Sequence, residues 1–159
     1  NGETDDERLS SGILEEEVDD DLIVADVDME DDVELVELNQ MVDEGERLLV
    51  GRQDVVEAMK LFEKAAEGGH SGAILTLGAL YLSGFGTKLS RDDRKATELI
   101  FKAASMGNPD AHGLLGFLYA SGWSKEVEAD QAKSILYWTI AARGGSIYGQ
   151  MALGYRYAY

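Results

Sequence analysis

The sequence contains no cysteine and a single proline among its 159 residues. The absence of cysteine excludes disulfide bonds, thiolate metal sites and a cysteine nucleophile. It does not identify the compartment, because cysteine-free segments occur in the cytosol and in the secretory lumen alike. One proline excludes collagen-like structure and polyproline linkers. The length favours one domain, with room only for a very small second one.

Basic residues are nearly missing from the first 46 residues, which carry 20 Asp or Glu and one Arg, a net charge of −19. Residues 47–159 carry a net charge of +2, so the acidity belongs to a head and not to the whole surface. Such a head repels nucleic acid and anionic membranes, and the remainder lacks a large basic face. We therefore expect no nucleic-acid partner, and membrane association only through parts of the protein outside this chain.

The acidic head has too few large apolar residues in positions 1–32 to offset the entropy of ordering the chain, which predicts disorder. We assign residues 1–46 to a largely disordered head. Apolar residues at helical spacing begin at residue 33, and this spacing is compatible with a capping helix near the end of the head. The apolar residues that would form its face are Val33, Val36, Met41, Leu48 and Leu49.

From residue 51 onward, the sequence repeats itself with a period of about 38 residues. This indicates three tandem units at about 51–88, 89–126 and 127–159, the last incomplete, within a repeat domain over 47–159. Since the chain begins without Met and stops inside the pattern, we expect it to be a piece of a longer protein. The repeat-signature positions are Leu61 and Leu99; Ala65, Ala103 and Ala141; Gly69, Gly107 and Gly145; Leu77, Leu115 and Leu153; Gly78, Gly116 and Gly154; Tyr81, Tyr119 and Tyr157; Gly84 and Gly122.

Each unit is typical of a helical hairpin. Apolar residues at i, i+3, i+4, i+7 and i+8 predict first helices over about 54–67, 92–105 and 129–143. A Gly-Gly or Met-Gly pair ends each one, and the next residues form a turn and an N-cap. The second helix carries an internal glycine in every copy, which costs roughly 1 kcal/mol against alanine and therefore predicts close approach of a neighbouring helix. Stacked hairpins of this kind form an all-α solenoid.

The motif at these positions resembles the Sel-one-like repeat, a relative of the tetratricopeptide repeat. The first unit shows it at residues 65–70 (AAEGGH), 77–81 (LGALY) and 84–86 (GFG), and the second at 103–107 and 115–119. The resemblance covers about residues 51–159 and implies a non-enzymatic solenoid that binds other proteins. Three positions depart from the motif, namely Ser124, Ser134 and Gly149.

A narrower resemblance joins residues 115–122 (LGFLYASG), 131–133 (QAK), 137–139 (YWT), 144–145 (GG) and 153–157 (LGYRY). This string is similar to the first repeats of the endoplasmic reticulum (ER) lumenal adaptors of HRD ubiquitin-ligase complexes. The resemblance implies a membrane-anchored protein of ER-associated degradation, with misfolded clients, lectin-type receptors and a membrane ubiquitin ligase as partners. A Sel-one-like regulator of cytosolic or bacterial signalling, located in the cytoplasm, is the alternative.

Catalytic and metal-binding patterns are weak. The only histidines, His70 and His112, lack a second ligand at metal-binding spacing, and we expect both to be structural. An EF-hand-like spacing of acids over residues 26–37 has Asp31 where the loop needs glycine, so a solvated acidic run is favoured. The pair Asp92 and Asp93 suits a helix N-terminus. We expect no enzyme activity and no cofactor.

The one functional surface that the sequence suggests is an outer stripe on the first helices, next to the core positions. In the first unit it is charged, and in the later units it turns apolar. An apolar strip on a solenoid is typical of a docking surface; burial under a neighbouring repeat is the alternative. The residues of this outer stripe are Lys60, Glu63, Lys64, Glu98, Phe101, Lys102, Leu136, Ile140 and Arg143.

Overall fold

The computed structural model describes residues 29–51 and 54–158, which form an all-helical chain of stacked hairpins. This confirms the expected α-solenoid, and the first helices of the three units begin and end within two residues of the predicted positions. The helices are α1 (Met29–Val50), α2 (Val55–Glu67), α3 (Ser71–Ser83), α4 (Asp93–Ser105), α5 (Pro109–Ser121), α6 (Gln131–Arg143) and α7 (Ile147–Ala158).

The first helix of every hairpin begins at an aspartate, and the three aspartates occupy the same position of the repeat. The carboxylates of Asp54, Asp92 and Asp130 each accept a backbone N–H from the first turn of α2, α4 or α6. An N-cap of this kind satisfies a donor that has no partner inside the helix. The three caps therefore start the first helices at equivalent places in each repeat.

The first helices end at glycines that share one backbone conformation. Gly69, Gly107 and Gly145 have φ of 86°, 84° and 88°, which L side chains rarely adopt. The following residue then donates its N–H to a carbonyl five residues earlier, as His70 does to Ala65 at 3.0 Å. This closure turns the chain sharply into the second helix of the hairpin.

Each helix packs against the next one along the chain, and α5 also contacts α7. Two apolar clusters form the interior of the described chain. One joins α1, α2 and α3 around Phe62 and Leu77, and the other joins α3, α4 and α5 around Ile100 and Leu115. Because each cluster draws on side chains from adjacent hairpins, a hairpin has no complete core of its own.

The junctions between hairpins place a bulky side chain against a helical glycine. A Cβ at Gly78 would lie 2.9 Å from Cγ1 of Ile100, and a Cβ at Gly116 would overlap the ring of Trp138. Real Cβ atoms do not approach other atoms so closely, so the glycines are required by packing. The predicted close approach is therefore confirmed at these two positions. At Gly154 it is wrong for this chain, because nothing lies within 4 Å of a Cβ there.

Helix α1 takes part in the same kind of junction, although the repeat offset does not detect it. A Cβ at Gly45 would lie 2.8 Å from the Phe62 ring, and Phe62 is the repeat equivalent of Ile100 and Trp138. Val33 and Val36, predicted to lie on the packing face, are instead 57% and 53% exposed. The packing face begins further along the helix, with residues Leu38, Met41, Val42, Gly45, Leu48 and Leu49. Disorder is predicted for residues 1–32, but residues 29–32 form the first turn of α1, and residues 1–28 lie outside the described residues.

We expect Gly116→Ala to lower the free energy of unfolding by about 1–3 kcal/mol, because the added methyl group forces the Trp138 ring out of its position. The matched control is Gly154→Ala at the equivalent position of α7, where the methyl group meets open space. Alanine favours helix there by up to about 1 kcal/mol, so this variant should be unchanged or slightly more stable. Urea unfolding followed by circular dichroism measures both. Equal effects of the two substitutions would contradict the packing role.

A second expectation concerns acid stability at the N-cap of α6. The backbone N–H of Lys133 donates to Asp130 at 3.0 Å, and this hydrogen bond lowers the pKa of the Asp130 carboxyl. Because the folded pKa is lowered, the stabilisation is complete above the unfolded pKa of about 3.9 and is lost as pH falls through the folded pKa. Asp130→Asn keeps a capping acceptor but does not titrate. We expect its stability in urea to fall less than that of the unmodified protein between roughly pH 5 and pH 2. The same pH dependence in both proteins would show that the cap is not the cause.

Candidate interaction surfaces

The second helices of the hairpins form one continuous surface with an open groove of about 570 Å³. α1 contributes one residue at one side of the groove, and α7 contributes one at the other. Between them, α3 and α5 contribute three residues each. The residues that line this groove are Glu46, Leu75, Thr76, Ala79, Asp110, Leu114, Phe117 and Tyr148.

The lining of the groove changes from repeat to repeat, although the helices that carry it are equivalent. Gly72, Asp110 and Tyr148 occupy one repeat position, at the beginning of α3, α5 and α7. Ala79 and Phe117 are likewise equivalent, about two turns further along. Repeat-signature positions such as those of Ala65, Leu77 and Tyr81 hold the same residue in every copy. The variation in the groove is therefore not required for stacking. It indicates that the groove has a chemistry of its own.

Two aromatic side chains dominate the apolar part of the groove. Phe117 is 44% exposed and Tyr148 is 58% exposed. The Phe117 ring lies edge-on to the buried Trp138 ring, with centroids 5.3 Å apart, and this contact holds it in place. Tyr148 has no such ring contact among the described residues. The groove therefore presents one fixed and one more accessible aromatic side chain.

The charges in the groove are all negative. Among the described residues that line the groove, Glu46 on α1 and Asp110 on α5 are the only charged ones. Asp110 Oδ1 accepts a hydrogen bond from the Ser146 hydroxyl at 2.6 Å. Within residues 29–51 and 54–158, neither carboxylate has a Lys, Arg or His nitrogen within 4.0 Å.

The outer stripe predicted from the sequence lies on α2, α4 and α6, separate from the groove on α1, α3, α5 and α7. Leu136 is 57% exposed and Ile140 is 40% exposed, so both are accessible. Phe101 is half-buried, and its ring contacts Tyr119 edge-on at 6.5 Å. The charged members are exposed, namely Lys60, Glu63, Lys64, Glu98, Lys102 and Arg143.

Sequence reasoning missed the groove because it compared exposed positions only on the first helices. The same repeat offset applied to the second helices would have shown the substitution of Gly72 by Asp110 and Tyr148. It would not have shown that Glu46 belongs to the same surface. The loop between α1 and α2 is shorter than the later loops, so α1 is out of phase with the repeat offset.

The signature tyrosines Tyr81 and Tyr119 lie half-buried between hairpins and do not line the groove. The Nζ of Lys95 donates to the Tyr81 hydroxyl at 2.7 Å and lies 4.2 Å from the ring centroid. That hydrogen bond raises the pKa of Lys95. The repeat-equivalent Lys133 lies over the Tyr119 ring at 5.2 Å. This recurrence points to a contact that joins neighbouring hairpins.

Both histidines have structural contacts. His70 Nδ1 accepts the backbone N–H of Ala73 and caps α3, as expected of its position. His112 Nδ1 lies 2.9 Å from the carbonyl oxygen of Asn108, in the preceding turn. In the part of the chain that the structure describes, no group of three His, Cys, Asp or Glu residues could hold a metal ion. Of the twelve residues of the EF-hand-like segment, the nine from Met29 to Glu37 lie in continuous helix α1, and the first three lie outside the described residues.

No helix among the described residues has the length and apolar character needed to cross a bilayer.

Comparison with protein families identifies the repeats. Residues 44–70, 73–108 and 109–146 match the family model described as Sel1 repeat, which together is more than half of the chain. Each of the last two matches begins at a second helix and ends just after the first helix of the next hairpin. The first match begins inside α1 and ends after α2. Among curated proteins, no sequence matches the chain significantly.

Solved structures of bacterial proteins share the fold. A Sel1 repeat protein from Oxalobacter formigenes aligns with a TM-score of 0.68 and 28% identity over 80% of this chain and 51% of its own. A protective antigen of uropathogenic Escherichia coli strains, with an SLR fold, aligns with a TM-score of 0.65 and 32% identity over 81% of this chain and 27% of its own. Cysteine rich protein B of Helicobacter pylori has a TM-score of 0.57 at 20% identity over 80% of this chain and 98% of its own, and shows the fold alone.

The chain spans about half of the Oxalobacter protein and about a quarter of the Escherichia coli antigen. The repeat motif, the hairpin stack and the family match agree over the same residues. This chain belongs to the Sel1 repeat family.

Proposed function

We propose that this chain is a non-enzymatic scaffold that binds another protein through the groove on its second helices. The observation that supports this most directly is the lining of the groove. Its residues differ between repeats, whereas the repeat-signature positions stay alike. Stacking does not dictate the groove residues, which leaves them free to suit a partner. Sel1 repeats mediate protein–protein interactions, which agrees with this role.

The groove suits a protein ligand for physical reasons. Its walls belong to packed helices, so binding orders few additional residues and costs little conformational entropy. Phe117 and Tyr148 supply exposed aromatic area, which often contributes most to binding at the centre of an interface. Four helices contribute lining residues, so one extended or helical segment could contact several repeats at once.

The outer stripe is the second candidate surface, and one observation favours it. Leu136 and Ile140 are exposed neighbours on α6, one turn apart. Two large apolar side chains on one exposed turn are a small docking patch. Phe101 adds little to this patch, since its ring already packs against Tyr119. The groove presents the larger and more varied surface.

We further propose that the protein acts in ER-associated degradation, as an adaptor on the lumenal side of the membrane. The support is the similarity of residues 115–122, 131–133 and 153–157 to the first repeats of HRD ubiquitin-ligase adaptors. Its partners would be a membrane ubiquitin ligase, lectin-type receptors and misfolded clients. A regulator of cytosolic or bacterial signalling is the alternative, and the solved relatives described above are bacterial.

A pair of uncharged polar variants tests the groove. In Ala79→Gln with Tyr148→Gln, two exposed groove residues become polar without disturbing the buried core. We expect this variant to bind the partner protein at least about tenfold more weakly in calorimetry, because apolar contacts near the centre of an interface are lost. Its helical circular dichroism and its urea midpoint should be unchanged.

The matched control places the same polar side chains on the outer stripe, as Leu136→Gln with Ile140→Gln. We expect this variant to bind like the unmodified protein. If the control loses binding and the groove variant does not, the docking surface is the outer stripe and the groove proposal is wrong.

The proposal of an ER role has its own test. In cells of the source organism, we expect the tagged protein to resist protease in sealed microsomes and to co-purify with a membrane ubiquitin ligase. Detergent should remove the protection, since the repeats would then be accessible. Digestion in sealed microsomes, with the ligase absent from the purified material, would favour the cytosolic alternative.

A further inference from the structure

The lining of the groove, as far as the structure describes it, combines apolar side chains with two carboxylates and no cation. Glu46 and Asp110 carry the only charges among these described residues. The floor between them, on α3, is neutral, because residues 68–87 contain no Lys, Arg, Asp or Glu. The nearest arginine in sequence, Arg47, is paired with Glu44 on α1. Nothing in the described chain therefore neutralises these two carboxylates across the groove.

A ligand that covers the groove removes both carboxylates from contact with water. Removing a carboxylate from water without a partner costs several kcal/mol, which exceeds what a few apolar contacts return. An uncharged apolar segment is therefore a poor occupant, and an acidic one is repelled. A segment that brings its own cation turns the same carboxylates into charge-assisted hydrogen bonds. The two aromatic side chains add an attraction for a guanidinium or ammonium group.

On the basis of the proposed scaffold function, we propose that the groove selects a partner segment in which Lys or Arg adjoins large apolar residues. The apolar residues pack against Leu75, Leu114 and Phe117 on α3 and α5. A basic residue on one side reaches Glu46, and another reaches Asp110. Arginine fits Asp110 better than lysine does, because its planar fork can hydrogen-bond a carboxylate and stack on Tyr148 together.

A structural role for Asp110 is the competing explanation. It lies in the first turn of α5, where a negative charge stabilises the helix, and it accepts a hydrogen bond from Ser146. Glu46 has no comparable role, since it lies near the C-terminal end of α1, where a negative charge is unfavourable. Helix stability therefore does not require the acid at position 46, and this exposed carboxylate is free to pair with a ligand.

The experiment selects peptides from a random 16-residue library displayed on phage, using the full 159-residue chain as bait. Peptides that lose binding to the uncharged variant Ala79→Gln with Tyr148→Gln are defined as groove-dependent. We expect these peptides to be enriched in Lys and Arg beside Leu, Phe or Trp, relative to the unselected library. Synthetic copies should bind Glu46→Gln with Asp110→Asn at least about tenfold more weakly, which corresponds to the loss of one or two charged hydrogen bonds.

The control removes the same amount of charge elsewhere, through Glu126→Gln with Glu128→Gln in the exposed loop between α5 and α6. This variant should bind the peptides as the unmodified protein does, so that attraction to the acidic chain as a whole is separated from recognition in the groove. Groove-dependent peptides without basic residues, or an equal loss in both charge variants, would overturn the basic-segment proposal and leave the scaffold function standing. If no selected peptide depends on the groove, the groove proposal itself fails.

Discussion

The contact between a helical glycine and a bulky side chain of the next helix sets the distance between neighbouring hairpins. Phe62 lies against Gly45, Ile100 against Gly78 and Trp138 against Gly116. Only glycine allows this approach, and the helix loses roughly 1 kcal/mol for each one. In return, the large side chain is buried and the two helices share one interior. The rest of the solenoid, including the position of the groove, depends on the spacing that this contact fixes.

The residues at which the helices begin and end position these glycine contacts between hairpins. An aspartate begins every first helix and a left-handed glycine follows its end, so that each hairpin turns at an equivalent residue. Between hairpins, the backbone N–H of Asp92 donates to the carbonyl of Tyr81, and Asp130 donates to Tyr119 in the same way. These local hydrogen bonds bring the second helices into line. Equivalent side chains of successive repeats then lie on one surface, where variation at a few positions is enough to define a binding site.

Function in this fold belongs to the positions that stacking leaves free. The groove has two aromatic side chains and two carboxylates, and none of its lining residues is a repeat-signature residue. The outer stripe is a second free surface, with fewer apolar residues accessible than the sequence suggests, because Phe101 packs against Tyr119. Both surfaces are rigid and lie on opposite members of the hairpins, so a scaffold of this kind has room for more than one partner.

The solenoid, its helices and its family could be predicted from the amino-acid sequence, because those properties come from short-range spacing and from repetition. Apolar periodicity, Asp caps and Gly stops are local signals, and a regular period of helical hairpins can only be satisfied by stacking. Three other features emerged only from the packing of whole helices. α1 joins the array, although the shorter loop that follows it puts it out of phase with the repeat offset. The Phe101 side chain is partly buried. Glu46 and Asp110 line one groove, although their helices are far apart in sequence. Such proximity depends on how helices stack in three dimensions, and no local pattern records it.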